Sequence, residues 1–405
     1  MAKVNFRFND ARDWFFRERF GMFVHWGIYA VEGWHEQLQW RRNVPKAEYA
    51  KLKDQFNPSF FNPDAWLDLC EAAGMTYLCF TAKHHDGFCM WDTKETDYNI
   101  MNTPYRRDVL AMLAEACHRR GIRLGLYYSC PDWHHPNALN FGGSHQLPHP
   151  DPGDQPDFLK YLDFVQRQVV ELCTNYGTIS EFFWDIPQGM NCPQLNETIR
   201  RLQPECLIND RGYGPGDYST PEREIPAGTA FAKPTEACDS VGRCSWGYRV
   251  NEDYYTPLAI MRNMDKILSR GGNFLLNVGP KPDGTIPVEA ETILRRVGEW
   301  FKSVREAFED TEPFAFDDPV WNATFTRRKD GTLYVHFPDG LLASGFELPV
   351  DKMPKAVTLL DGGRPLAATL EEMPSHALQG RLDLHVSGLD ARRLVGTVPI
   401  VKVEW

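Results

Sequence analysis

The 405-residue sequence has no apolar run approaching the roughly eighteen residues at which a segment begins to span a bilayer, so no transmembrane helix is expected. Its first residues, MAKVNFRFNDARDWFFRERF, alternate charges with aromatics and lack the continuous apolar stretch of a secretory leader, which predicts a soluble, cytoplasmic chain. Positive charge is also short. Lys and Arg number 44 against 55 Asp and Glu, a formal net charge of −11, and no basic cluster interrupts that excess. Such a surface repels nucleic acid and anionic lipid, so neither a nucleic-acid nor a membrane partner is expected. The ten cysteines show no paired spacing. Cys79, Cys117 and Cys173 stand inside apolar segments, which suits reduced, buried thiols, and the spacing of Cys238 and Cys244 is too loose for a zinc site. No internal repeat, low-complexity tract, His-x-His or His-Glu-x-x-His spacing occurs, so no metal or other cofactor is called for.

What is present is globular: 42% hydrophobic and 24% charged residues are enough to bury a large core. The length exceeds one ordinary core and suits a barrel of roughly 250 to 300 residues with a smaller module. Short β-branched or aromatic runs alternate with longer amphipathic segments up to about residue 310, the rhythm of a parallel sheet with helical crossovers. Strands are expected at 21–26, 76–83, 123–129, 181–185, 206–210 and 273–279. These six are two short of a (β/α)8 barrel, and the Gly- and Pro-rich region 212–255 resists assignment, so a distorted or incomplete barrel is expected. Beyond residue 312 come strands at short spacing with tight turns, including the hairpin signal Asp330-Gly331. The division is therefore a barrel over 1–312 and an all-β sandwich over 313–405.

In a parallel barrel, residues just past the C-terminal strand ends face one pocket. On this reading His25 ends the first strand, His84 and His85 the second, Tyr127 and Tyr128 the third, Asp185 the fourth, and Asp210 and Arg211 the fifth. Nine of the twelve histidines precede residue 150 and none falls between 150 and 335, which puts imidazoles on one side of the pocket and carboxylates on the other. The histidines admit three readings: buried structural groups, metal ligands, or contacts to a polar substrate. Asp185, a charge terminating the apolar strand EFFWD, caps the next helix or faces a substrate. Glu222 lies in the loop GYGPGDYSTPEREIP, which is either solvated surface or a barrel-mouth loop. Trp26, Trp34, Trp91, Trp133, Trp184 and Trp246 lie near strand ends or loops, and at least half are expected to pack in the core. Two carboxylates, several histidines and aromatics around one pocket describe a sugar site, with rings stacking on C–H faces and polar groups meeting hydroxyls.

Taken in order, FGMFVHWG, KHHDGF, LYYS, FFWD, INDR, the DYSTPE loop, SWGY and GGNFLLNVGP resemble the α-L-fucosidase family of retaining glycoside hydrolases, family 29, over about residues 8 to 310. The resemblance implies a (β/α)8-like catalytic barrel followed by a β-sandwich, and hydrolysis of terminal α-linked L-fucose from oligosaccharides or glycoconjugates with net retention. It implies Asp185 as nucleophile. For the acid/base it offers Glu222, in Thr220-Pro221-Glu222, which is favoured, and Glu236, upstream of SWGY. His25, His84, His85 and Tyr128 fall on sugar-hydroxyl ligands, Arg211 near the nucleophile, and Trp246 on an aromatic wall. In GWHEQLQW, which replaces a Ser-Glu-Trp-Tyr-like segment, Trp34 and Glu36 are further candidates for substrate contact, beside His35. After the nucleophile, Ile186-Pro187-Gln188 stands where many members have glycine, which could reshape the leaving-group side. A homo-oligomer and a metal-dependent or non-catalytic sugar-binding alternative remain open.

Overall fold

The computed structural model describes residues 6–186, 192–318, 320–374 and 381–405. Within it the strand–helix rhythm folds into a curled parallel sheet of seven strands: β1 (Phe20–Val24), β2 (Tyr77–Lys83), β3 (Arg123–Ser129), β4 (Glu181–Asp185), β5 (Leu207–Ile208), β6 (Glu236–Ser240) and β7 (Asn273–Val278). Their order is β5-β4-β3-β2-β1-β7-β6. This is the expected barrel, with one more strand than the sequence reveals: β6 lies inside the unassigned region, and β5 is shorter than its expected span.

Helices cover the outside, and four of them begin where the sequence provides a side-chain cap. Asn62, Asp108, Asp157 and Thr256 accept backbone N–H groups at the starts of Pro63–Ala72, Val109–Arg120, Phe158–Asn175 and Pro257–Leu268. Gly121, at φ +70°, ends the second of these. Along each strand the side chains alternate between two clusters. Met22, Val24, Leu78, Phe80, Leu124, Leu126, Phe182 and Trp184 point outward into the helical layer. Phe23, Tyr77, Cys79, Tyr127, Phe183, Cys238 and Leu275 fill the lumen, with Trp14 and Phe15 packed against them.

The gap between β5 and β6 is occupied by the segment 218–222. Asp210 N–H donates to the Tyr218 carbonyl (3.0 Å), Glu236 N–H to the Ser219 carbonyl (2.8 Å), and Cys238 N–H to the Pro221 carbonyl (3.0 Å). These parallel bridges place a Pro-containing stretch where an eighth strand would run. Ser219 and Arg223 also donate their N–H groups to the Pro234 and Cys238 carbonyls, but Pro221 has no N–H to give, and the segment forms isolated bridges rather than a regular strand.

The remaining strands form antiparallel sheets of six and three strands around a second apolar cluster that includes Phe325, Val335, Leu348, Val386 and Val401. The six-stranded sheet begins at Thr311–Phe314, so the expected 312/313 boundary runs through its first strand. Two buried contacts fix it to the barrel: Trp300 Nε1–H donates to the Val398 carbonyl (3.0 Å), and the His336 ring pairs with Asp265 (2.8 Å).

Candidate active site

The strand ends converge on a cavity of about 120 Å³ lined by His25, Glu36, His84, His85, Tyr127, Asp185, Arg211, Glu222 and Trp246, with Phe23 and Phe183 as apolar wall. That is well below the several hundred Å³ of a drug-sized site, so it suits one small terminal unit. A larger groove of about 520 Å³ on the C-terminal sheets, bordered by Trp321 and Phe346, contains none of these strand-end groups.

Asp185 ends β4 and is 9% exposed. Its Oδ1 accepts from Arg211 Nη1 (2.9 Å) and its Oδ2 from the Tyr127 hydroxyl (2.7 Å), with His85 Nε2 at 3.7 Å. Burial alone would raise this carboxyl, but Arg211, then His85 and Tyr127, hold it below the ordinary carboxylate range. The same Arg211 Nη1 also lies 2.9 Å from Glu222 Oε2. The nearest oxygens of the two carboxyls are therefore no farther apart than twice 2.9 Å. Thr220 locks the guanidinium, accepting Nε–H at its hydroxyl and Nη2–H at its carbonyl (both 2.6 Å). Thus the substitute strand that carries Glu222 also orients the arginine between the carboxyls.

The histidine side is neutral and pre-oriented. The Asn277 amide donates to the Trp246 carbonyl (2.7 Å) and the Ser240 hydroxyl (3.0 Å), so its oxygen faces His25. That oxygen accepts the His25 backbone N–H (3.0 Å) and lies 2.8 Å from Nδ1, which must be the protonated nitrogen. Nε2 of His25 is left as an acceptor. Burial lowers His25, depresses His84 strongly and pushes His85 down to about 3, so all three are uncharged near neutrality. Nδ1 of His84 and of His85 is buried without a hydrogen-bond partner among the described residues, a cost that a ligand hydroxyl would remove.

Glu36 is 1% exposed, and its Oε2 accepts from the Ser245 hydroxyl (2.7 Å) and from the backbone N–H groups of Trp246 (2.9 Å) and Gly247 (3.1 Å). It therefore pins the loop that carries Trp246 as well as lining the cavity.

Three expected positions differ. Tyr128 points outward: it is fully buried and its hydroxyl donates to Gln168 (2.6 Å) in the helix Phe158–Asn175, while its neighbour Tyr127 faces the pocket. Glu236 opens β6 at the opposite end of the strand from the mouth; it is buried and accepts from the Tyr77 hydroxyl (2.5 Å), with the Glu181 carboxyl as its charged neighbour. Trp34 lies outside the cavity wall with the Arg42 guanidinium 4.0 Å over its ring. Gln37 and His145 line the cavity without having been singled out for it, and Ile186, expected on the leaving-group side, lines it too. Ile186, at φ +52°, holds a left-handed conformation that a β-branched residue rarely adopts. Pro187 and Gln188 lie outside the described residues. Among the described residues no group of three or more His, Cys, Asp or Glu side chains could hold a metal ion, and no helix is long and apolar enough to cross a membrane.

The sequence model of the α-L-fucosidase family matches residues 3–306. The tissue α-L-fucosidase of Rattus norvegicus is 30% identical over 373 residues, covering 80% of this chain and 76% of the relative. Among solved structures, α-L-fucosidase isoenzyme 1 from Paenibacillus thiaminolyticus superposes with a TM-score of 0.88 at 32% identity, over 97% of this chain and 98% of the other. A trapped covalent intermediate of a family 29 α-L-fucosidase from Bacteroides thetaiotaomicron, formed with 2-fluoro-fucosyl fluoride, gives a TM-score of 0.82 at 25% identity, over 100% of this chain and 98% of the other.

Proposed function

The chain belongs to the α-L-fucosidase family, and from that premise we propose that it is a retaining exo-glycosidase that removes terminal α-linked L-fucose from oligosaccharides or glycoconjugates. The observation that carries the reading is the single Arg211 nitrogen bonded to both Asp185 and Glu222. It bounds the nearest carboxyl oxygens at twice 2.9 Å, which is compatible with the roughly 5 to 5.5 Å of double displacement and short of the ~6.5 Å or more that an inverting enzyme needs to seat a water.

Asp185, held ionised, attacks the anomeric carbon as the glycosidic C–O bond breaks, and Glu222 gives its proton to the departing oxygen. A fucosyl ester on Asp185 results. Glu222, now a carboxylate, takes a proton from water, whose oxygen attacks the same carbon and frees Asp185. The 41%-exposed Glu222 side chain stands on the open side of the cavity, where the departing oxygen leaves. Arg211 is positioned to release one carboxylate as charge moves to the other. Neutral His25, His84 and His85 offer acceptors and donors to the ring hydroxyls, and Phe23 and Phe183 offer an apolar surface to the methyl group that replaces the 6-hydroxyl.

The test is release of 4-nitrophenol from its α-L-fucoside by wild type, Asp185→Ala and Asp185→Gly, with and without EDTA. Chelator-insensitive turnover, lost in Asp185→Ala and restored in Asp185→Gly by azide, supports the assignment. Turnover by folded Asp185→Ala would overturn the nucleophile, and loss with EDTA would favour a metal-dependent hydrolase.

A further inference from the structure

The cavity has an inner and an outer part. His25, Glu36, His84, His85, Tyr127 and Asp185 are each at most 9% exposed and close its inner end. Gln37, His145, Ile186 and Glu222 are the more open side chains of the wall. A sugar whose anomeric carbon meets Asp185 and whose leaving oxygen meets Glu222 must project its leaving group across that outer edge.

His145 is built into the edge with unusual care for a residue of a long loop. Its φ of +53° is uncommon for any residue other than glycine. Trp133 Nε1–H donates to the His145 carbonyl (2.7 Å), and Gly142 N–H to the Leu147 carbonyl (2.8 Å), closing the turn around it. The loop is rooted by Asp132, which accepts from buried Lys83 (2.8 Å) and from the backbone N–H groups of His134 and His135. The imidazole stacks on Trp40, with ring centroids 4.9 Å apart at 22°, and lies 5.4 Å from the His85 ring. Nδ1 is engaged by the Ser144 hydroxyl at 3.0 Å, and Nε2 has no protein partner among the described residues. The ring lines the same cavity as Asp185 and Glu222. Strain held in place by surrounding contacts, at a pocket edge, marks a side chain kept for a ligand.

We infer that His145 is the residue that recognises the leaving group, its Nε2 hydrogen-bonding a hydroxyl of the sugar to which the fucose is attached. The inference rests on the fucosidase reading and adds its second subsite: the preferred leaving group is a sugar with a hydroxyl near the linkage, and Trp40 keeps the ring plane fixed behind it.

The experiment compares His145→Ala and His145→Asn with wild type on a fucosyl disaccharide and on 4-nitrophenyl α-L-fucoside, with L-fucose as inhibitor. Loss of one such hydrogen bond should lower kcat/KM on the disaccharide about tenfold more than on the aryl fucoside. The inhibition constant for fucose should move less than about twofold, and Asn, which tolerates positive φ and retains a polar group, should recover part of the loss. Parallel losses on both substrates with weakened fucose inhibition would overturn the inference, because His145 would then bind the fucose ring itself. So would unaltered kinetics on both substrates. Wild-type protein inert on both substrates would instead refute the fucosidase reading beneath it.

Discussion

Replacing Glu236 by Gln separates the chemistry of the mouth from the electrostatics of the lumen. Glu181 and Glu236 open β4 and β6 and are 2% and 0% exposed. The Tyr218 hydroxyl donates to Glu181 and the Tyr77 hydroxyl to Glu236. The groups packed around the pair are Tyr77 and Cys79 on β2, Tyr218, and Cys238 on β6, with no cation among them. Glu181 Oε2 and Glu236 Oε1 are buried with no other hydrogen-bond partner among the described residues, an arrangement that one proton shared between the two carboxyls would satisfy. Burial, and for Glu236 also the neighbouring Glu181, raises both above the ordinary glutamate value. The sign of the linkage follows. The unfolded chain releases these protons near pH 4.3, whereas the folded chain retains at least one, so the pair's contribution is complete below that pH and declines as pH rises. Over each pH unit in which one such proton is retained, stability falls by about 1.4 kcal/mol. In Glu236→Gln the amide donates to Glu181 and no proton need be held, so urea unfolding at pH 5, 6 and 7 should show a stability decline shallower by about that slope. Turnover of the aryl fucoside should stay within about threefold of wild type, because removing a general acid costs on the order of 10² to 10⁴ and Glu236 is not at the mouth. Parallel stability–pH lines for the two proteins would refute the shared proton, and a 10²-fold or greater loss of turnover would return Glu236 to the acid/base role.

The two adjacent tyrosines of β3 should behave oppositely. Tyr127→Phe removes a hydrogen bond to ionised Asp185 and should lower kcat/KM by about 10- to 100-fold with little loss of stability, read by steady-state kinetics. Tyr128→Phe leaves Gln168 without its donor and should lower stability by about 1 to 2 kcal/mol in denaturant titration, with kinetics close to wild type. Because Asp185 is held below the ordinary carboxylate range, and activity needs it ionised, the acid limb of kcat/KM should fall only below about pH 4. Arg211→Met should move that limb to higher pH and cut kcat by about 10² to 10³; an unmoved limb would mean that Arg211 does not set the charge on Asp185.

The parts of the site legible in the sequence are those where a polar residue ends an apolar strand. His25, His84, His85 and Asp185 follow or end runs that can only be barrel interior, and a charge or imidazole there has few destinations besides the shared mouth. Strand parity would have corrected the tyrosines. In RLGLYYS, Leu124 and Leu126 share a face with Tyr128, and two leucines on one face of a barrel strand belong to the helical layer. Gly125 shares the other face with Tyr127, and a Cβ built there would stand 2.7 Å from a Glu181 oxygen, so the small residue marks the crowded lumen. The eighth position was hidden for a different reason. Its segment is rich in Gly and Pro, it pairs only in isolated bridges around Pro221, and no hydrophobic period announces it.

Glu236 shows why nearness in sequence to a mouth motif is not nearness to the mouth. It lies ten residues before Trp246 on a path that first climbs the whole of β6, Glu236–Ser240. At about 3.3 Å per residue, its two ends are separated by roughly 13 Å along the strand. Glu236, Cys238 and Ser240 have the same parity, so alternation alone cannot distinguish them. Axial height can: Ser240, at the upper end, meets the Asn277 amide that orients His25, whereas Glu236, at the lower end, meets Tyr77 at the start of β2. Glu222 reaches the mouth because its bridge partner is Cys238, in mid-strand, and from there it needs only its own side chain to meet Arg211. Height along the strands, not parity, therefore separates the two candidates, and of them only Glu222 lines the cavity that Asp185 lines.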